Sequence, residues 1–205
     1  MSNKMFWITI IVLFMWALSS TAIATHYYMK TMELSSYIKS LEENIKQVKT
    51  YMEKLTSNIM KAMEQAILSG NQEITKTLDD AINDTIKINR VLGGEIKVNI
   101  LVDYGNGSKV WYNDTTINNG DNLFKAMMKV LKVTYTAYQY GVFIESINNV
   151  HNDPSKNMYW MWWRWDSERK IWVLGSMSCD KYIPVNGEVF AWKYSNVMEW
   201  PPKPP

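Results

Sequence analysis

The chain has almost no cysteine or histidine. Its one cysteine, Cys179, excludes a disulfide framework within the chain and any zinc cluster built from cysteines. His26 and His151 are the only histidines, so no histidine-based metal site is expected, and no cofactor. An excess of one charge is also lacking. Lys and Arg number 22 against 20 Asp and Glu, a net charge of +2 with no electrostatic footprint for nucleic acid. Between Met1 and Ser69 there is neither Gly nor Pro, the usual helix breakers. Paired acids, a phosphate-binding glycine motif and triad spacing are all missing, so no enzyme is expected. Aromatic residues are plentiful instead: ten Trp and twelve Tyr, most of them after residue 100. The 205 residues allow one ordinary domain plus accessory segments.

From Met5 to Met29 no residue carries a formal charge, and Phe6–Leu18 is almost continuously apolar. About 20 such residues span a bilayer core. Residues 1–29 therefore read as a signal anchor, with residues 6–25 in the membrane. His26, Tyr27 and Tyr28 suit the water–membrane boundary, and Lys4 favours a cytoplasmic N-terminus. The alternative is a cleaved signal peptide, with Ala22-Ile23-Ala24 as the small-x-small cleavage pattern and a secreted protein starting after Ala24. Either way the bulk of the chain is expected outside the cytoplasm.

Residues 30–69 read as one helix. Leu34, Ile38, Leu41, Ile45, Val48, Met52, Leu55 and Ile59 step by alternating fours and threes, an a/d heptad repeat flanked by Lys and Glu. This predicts a coiled-coil stalk about 60 Å long and a homo-oligomer, dimer or trimer. Ser69-Gly70-Asn71 breaks it, and residues 70–94 hold a second amphipathic helix that either folds back or restarts the rod. Gly93-Gly94 closes that helix.

From Glu95 the period changes to two. Ile96, Val98, Ile100 and Val102 alternate, Gly105-Asn106-Gly107 makes a hairpin turn, and Ser108–Thr115 returns. Asn122–Leu131 is a short helix; Val133–Gln139, Val142–Ile147, Met158–Trp165, Ile171–Leu174 and Gly187–Ser195 are strands. Pro201–Pro205 cannot join a sheet and is expected to be an extended tail. The fold class is α+β: a transmembrane helix, a stalk, and over 95–200 a mixed sheet of six or seven strands packed on one helix.

The order of these elements, with Cys179-Asp180-Lys181-Tyr182 and Asn186-Gly187-Glu188-Val189-Phe190-Ala191-Trp192-Lys193-Tyr194, resembles the transcobalamin-like C-terminal domain family over about residues 95–195. That family includes archaeal and bacterial surface domains and the cobalamin-capping domain of the vitamin carriers. The resemblance implies a small β-grasp-like fold on a cell surface, archaeal by its leaning. Glu188 stands where the family usually has Asp, and the helical domain that cradles cobalamin is missing, so cobalamin binding is not carried over.

The aromatic strand Met158–Trp165 is the candidate binding element. Alternation puts Tyr159, Met161, Trp163 and Trp165 on one face and Trp160, Trp162 and Arg164 on the other. Either both faces are core, or Trp160, Trp162 and Arg164, with Trp172 beyond the turn, form a partly exposed stacking platform for rings, sugars or partner side chains. Cys179 reads as a buried small side chain and His151 as loop chemistry. Asn83, Asn106 and Asn113 begin glycosylation sequons. The expected function is a membrane-anchored, surface-displayed module that binds a small ligand or protein partner. The alternative is an accessory subunit of a cell-envelope or membrane assembly.

Overall fold

A computed structural model describes residues 3–205. The chain is α+β: a long apolar N-terminal helix leads into a mixed β-sheet region. The chain falls into two units, Met1–Val48 and Lys49–Pro205, and helix α1 (Asn3–Ser69) contributes residues to both.

In the first unit residues 3–48 are helical and every side chain is exposed. The apolar window near the N-terminus has mean hydropathy 2.0, and the helix is long and apolar enough to cross a membrane. Its few hydroxyls fit that medium. Thr9, Ser19, Ser20, Thr21 and Thr25 each donate to a carbonyl three or four residues earlier, so none depends on water for a partner.

In the second unit α1 ends at Ser69, where the Gly70 and Asn71 amides donate back to Ile67 and Ala66. The Asn71 side chain accepts from the Ile74 amide at 3.1 Å and caps α2 (Gln72–Leu92). The two helices form a hairpin: Asn89 on α2 donates to Thr56 on α1 at 3.2 Å, both side chains buried. That resolves the choice between fold-back and restart.

The β region runs β1 (Glu95–Asp103), β2 (Lys109–Asn118), α3 (Leu123–Val130), β3 (Val133–Tyr138), β4 (Gly141–Ile147), β5 (Val150–His151), β6 (Met158–Asp166), β7 (Ile171–Leu174) and β8 (Val189–Asn196). Instead of one sheet of six or seven strands there are two: a five-stranded sheet in the order β2-β1-β8-β6-β7 and a three-stranded sheet β3-β4-β5. The smaller sheet stops at β5, which has only two residues before the chain turns through Asn152 and Asp153 into the short helical turn Pro154–Lys156. In the larger sheet β1 and β8 lie side by side in parallel at the centre, and the other pairs are antiparallel. The last strand begins at Val189 rather than Gly187. Glu188 is held in the preceding turn, accepting from the Val185 amide at 2.9 Å and the Tyr182 hydroxyl at 2.8 Å.

One face of the five-stranded sheet carries Ile96, Val98, Ile100, Val102, Trp160, Trp162, Phe190 and Trp192. Against it pack Leu123, Ala126 and Met127 of α3, Met60 and Met63 of α1, Ile82 of α2, and Ile144 and Ile147 of β4. The helix α3 is thus joined as a cover by the α1–α2 hairpin. Burial along α1 in this unit starts at the heptad residue Met52 and continues at Thr56, Met60 and Met63, the last three one position past the heptad phase of Leu55 and Ile59.

The C-terminal prolines do not project as an extended tail. Pro202 is buried, and the Pro204 carbonyl accepts from Lys193 Nζ at 2.7 Å. Having no amide, they join no ladder, but Pro202 packs and the Pro204 carbonyl accepts.

Candidate functional site

The aromatic strand β6 lies between β8 and β7, so both of its edges are paired. Trp160, Trp162 and Arg164 point into the core: they are 5 %, 7 % and 7 % exposed. Trp160 Nε1 donates to the Val150 carbonyl and Trp162 Nε1 to the Met177 carbonyl, each at 2.8 Å. Gly175 lies so close that a Cβ there would sit 2.0 Å from the Trp162 ring. The partly exposed platform of Trp160, Trp162 and Arg164 is therefore corrected: the α1–α2 hairpin and the 175–183 segment cover that face. Sequence alternation separates two faces but cannot say which one the helices choose.

Arg164 is held by Glu64 of α1, Nη2 to Oε2 at 2.9 Å, with both side chains largely buried. Burial opposes the guanidinium charge, but Tyr182, Glu64 and Glu188 outweigh it and hold its pKa up. Burial pushes the Glu188 carboxyl above the usual range despite the Val185 amide and the Tyr182 hydroxyl, and it pushes the Tyr182 phenol well up. This buried cluster fixes the helical hairpin to the sheet. Its oxygens and nitrogens largely satisfy one another, which suits a structural role.

None of the described helices packs on the other face of the sheet, although its central residues Leu101, Trp163 and Ala191 are buried. Strand registers place Trp111, Leu101, Ala191, Trp163 and Leu174 side by side in one row across all five strands. Trp172 pairs with Trp165 in the next row, ring centroids 5.4 Å apart. Ala191 at the centre is small, so the row has a low floor between larger aromatic walls. Leu101, Trp163 and Ala191 form a buried cluster with Trp172 and Leu174 partly covering it. Trp111 is 48 % exposed at one end and, with Asn99, Asn113 and Val189, lines a shallow hollow of about 320 Å³. At the other side of the row, Asp103 lies between Lys109 and Lys193 by register, and Lys109 Nζ is 3.4 Å from its carboxylate. This open face combines flat rings, amides and a paired charge. It can stack an extended or planar ligand and hydrogen-bond its edge.

Of the four residues singled out on sequence, only Trp172 lies on this face. Trp111 and Trp165 were missed. The signal for Trp111 was the two-residue period of β2 in its hairpin with β1, but the row it joins beyond β1 follows only from the parallel β1–β8 pairing.

The other sequence candidates fall elsewhere. On α1, Leu34, Ile38, Leu41, Ile45 and Val48 are exposed in the first unit. In the second, Met52 is buried, Leu55 exposed and Ile59 partly buried. Asn83, Asn106 and Asn113 are exposed. Cys179 is buried and its thiol is pushed up by that burial. Among the described residues no group of three or more His, Cys, Asp or Glu is placed to hold a metal ion.

A family profile described as Domain of unknown function (DUF4430) matches residues 120–163, from the turn before α3 into β6. No curated protein matches the chain. Among solved structures the chain is similar to a candidate metal binding protein from Ruminococcus gnavus ATCC 29149, at 16 % identity and a TM-score of 0.41, covering 49 % of this chain and 97 % of that one. It is also similar to haptocorrin in complex with Cbi, at 15 % identity and a TM-score of 0.46, covering 75 % of this chain. The chain spans about half of haptocorrin's length, 52 %.

Proposed function

We propose that this chain is a membrane-anchored, surface-displayed binding module whose open sheet face captures a ligand or protein partner. One observation carries the reading: on a sheet face that none of the described helices covers, Trp111 is 48 % exposed and Trp172 partly exposed at opposite edges of a buried apolar row. The anchor reading is supported by the apolar α1 window; in this reading Lys4 keeps the N-terminus cytoplasmic and the β region lies on the outer side. The transcobalamin-like resemblance over 95–195 is supported by the profile match at 120–163, which falls inside it. The exposed heptad residues Leu34, Ile38, Leu41, Ile45 and Val48 support association of stalks from two or three copies.

The test is native mass spectrometry of the full chain gently extracted from its own membranes. Wild-type protein is expected to carry mass beyond its own subunits, and the Trp111→Ala/Trp172→Ala variant to lose it. A small added mass gives the ligand class. An added protein chain makes the molecule an assembly subunit with this face as the interface. Bare wild-type protein, or equal added mass in the variant, overturns the reading.

A further inference from the structure

Strand β2 is an edge of the five-stranded sheet, and a bulge interrupts its pairing with β1. Val98 pairs with Thr115 and Ile100 with Tyr112, so Asn113 and Asp114 together oppose Asn99. Asp114 absorbs the extra residue at φ 52°, and its amide donates to Asn99 Oδ1 at 3.0 Å, which fixes the bulge. Trp111 and Asn113 emerge on the same side of β2, about 6.5 Å apart along the strand. Both are exposed, and with Asn99 and Val189 they line the shallow hollow of about 320 Å³. Asn113-Asp114-Thr115 is an acceptor sequence for an N-linked glycan. The first sugar of such a glycan has an apolar face of C–H groups, whose slightly positive hydrogens are drawn to the negative face of an indole ring. Trp111 lies where that sugar would rest. The other two sequons lack this partner. Tyr104 stands two residues before Asn106, but its ring packs on Trp160 with centroids 5.8 Å apart, and Ala81 stands at that place before Asn83.

We propose that Asn113 carries an N-linked glycan whose first sugar is seated on Trp111 in this hollow. This rests on the part of the functional reading that puts the β region outside the cytoplasm. The donor is a lipid-linked oligosaccharide. Asn113 Nδ2 bonds to its anomeric carbon as the bond from that carbon to the lipid phosphate oxygen breaks. The lipid phosphate leaves with the electron pair, the amide loses one proton to a base of the transferase, and nothing is oxidised or reduced. Thr115 is buried and its hydroxyl donates to the Tyr112 carbonyl at 3.3 Å, so a transferase that must read this hydroxyl acts before β2 pairs. In the folded chain the glycan stands beside an edge strand. It screens the exposed Val110 and Trp111 from strand pairing with other chains, a hazard of long edges. Trp172 lies four strand spacings away, about 19 Å, beyond the reach of that first sugar.

The experiment uses the full chain purified in mild detergent from its own membranes, as the natural sequence and as Asn113→Gln. Peptides of the denatured, digested protein are weighed by mass spectrometry. The peptide holding Asn113 is expected to carry added sugar mass in the natural chain and none in the variant. Hydroxyl-radical labelling of the folded protein then reads the seat: Trp111 should oxidise faster in Asn113→Gln than in the natural chain, with exposed Tyr140 unchanged. The melting temperature of the β region should fall by about 2–4 °C in Asn113→Gln. In a Trp111→Ala background the same substitution should leave it unmoved, because the sugar has lost its partner. If Asn113→Gln does not fold, Thr115→Val takes its place, since it ends the sequon with a side chain of similar shape. An unmodified Asn113 in the natural chain overturns the proposal. So does a modified Asn113 whose loss leaves Trp111 labelling unchanged. Sugar mass survives denaturation, whereas a captured ligand or partner does not. An unmodified Asn113 in protein that still carries a ligand removed by Trp111→Ala/Trp172→Ala therefore strikes the glycan alone, and a modified Asn113 with no further native mass strikes the binding reading alone.

Discussion

At the scale of single residues, the groups most costly to change are the charges buried between α1 and the sheet. Arg164 and Glu64 bond at 2.9 Å with little solvent near either. Removing one partner leaves the other uncompensated, at about 3–5 kcal/mol. Arg164→Met should therefore lower unfolding free energy by about that much, and adding Glu64→Gln should recover part of it. Denaturant unfolding of the two single variants and the double measures the coupling. Glu188 gives a pH signature. Burial raises its folded carboxyl above the ordinary 4.5, so the folded chain binds that proton more readily than the unfolded chain does. Its contribution to stability is full below the unfolded value and is lost as pH rises through the folded one. Melting temperature should therefore gain from mild acidification toward 4.5, and Glu188→Gln should flatten that part of the profile. An unchanged slope in the variant would assign the effect to other groups. Neither cluster was legible in the sequence, because Glu64 and Arg164 are 100 residues apart and only the tertiary fold brings them together.

At the scale of elements, periodicity was a sufficient guide. The hairpin β1–β2, helix α3 and strands β3, β4, β6 and β7 lie close to where alternation and turn residues predicted them. It was less informative about which neighbours each element takes. The stripe along α1 illustrates why: one heptad phase runs through the whole helix, yet Met52, Thr56, Met60 and Met63 turn to the domain while Leu34 to Val48 stay exposed. Two overlapping apolar faces on one helix look like a single repeat in sequence. The proposed stalk association follows from the exposed part alone. Ile38→Asn with Leu41→Asn should shift detergent-solubilised protein from oligomer to monomer in sedimentation, with the melting temperature of the β region unchanged. Retained oligomers would place the contact elsewhere. The proline segment was legible as excluded from a sheet, but its seating on Lys193 depends on a strand pairing across the sheet centre.

For the whole molecule, the proposal is a division of labour: an apolar helix that holds the chain at a membrane and a β domain that offers one aromatic face. The fold class and the membrane-length helix were readable from composition, because hydropathy and period survive without tertiary information. The binding face was not, because choosing between the two faces of β6 depends on where the α1–α2 hairpin lands. The central claim is that the open face is occupied in the native setting. Hydroxyl-radical footprinting of the protein in its own cells and after purification tests this most directly. Trp111 and Trp172 should be oxidised more slowly in cells than in the purified chain, while exposed Tyr140 reacts alike in both. Equal oxidation of Trp111 and Trp172 in the two settings would contradict it.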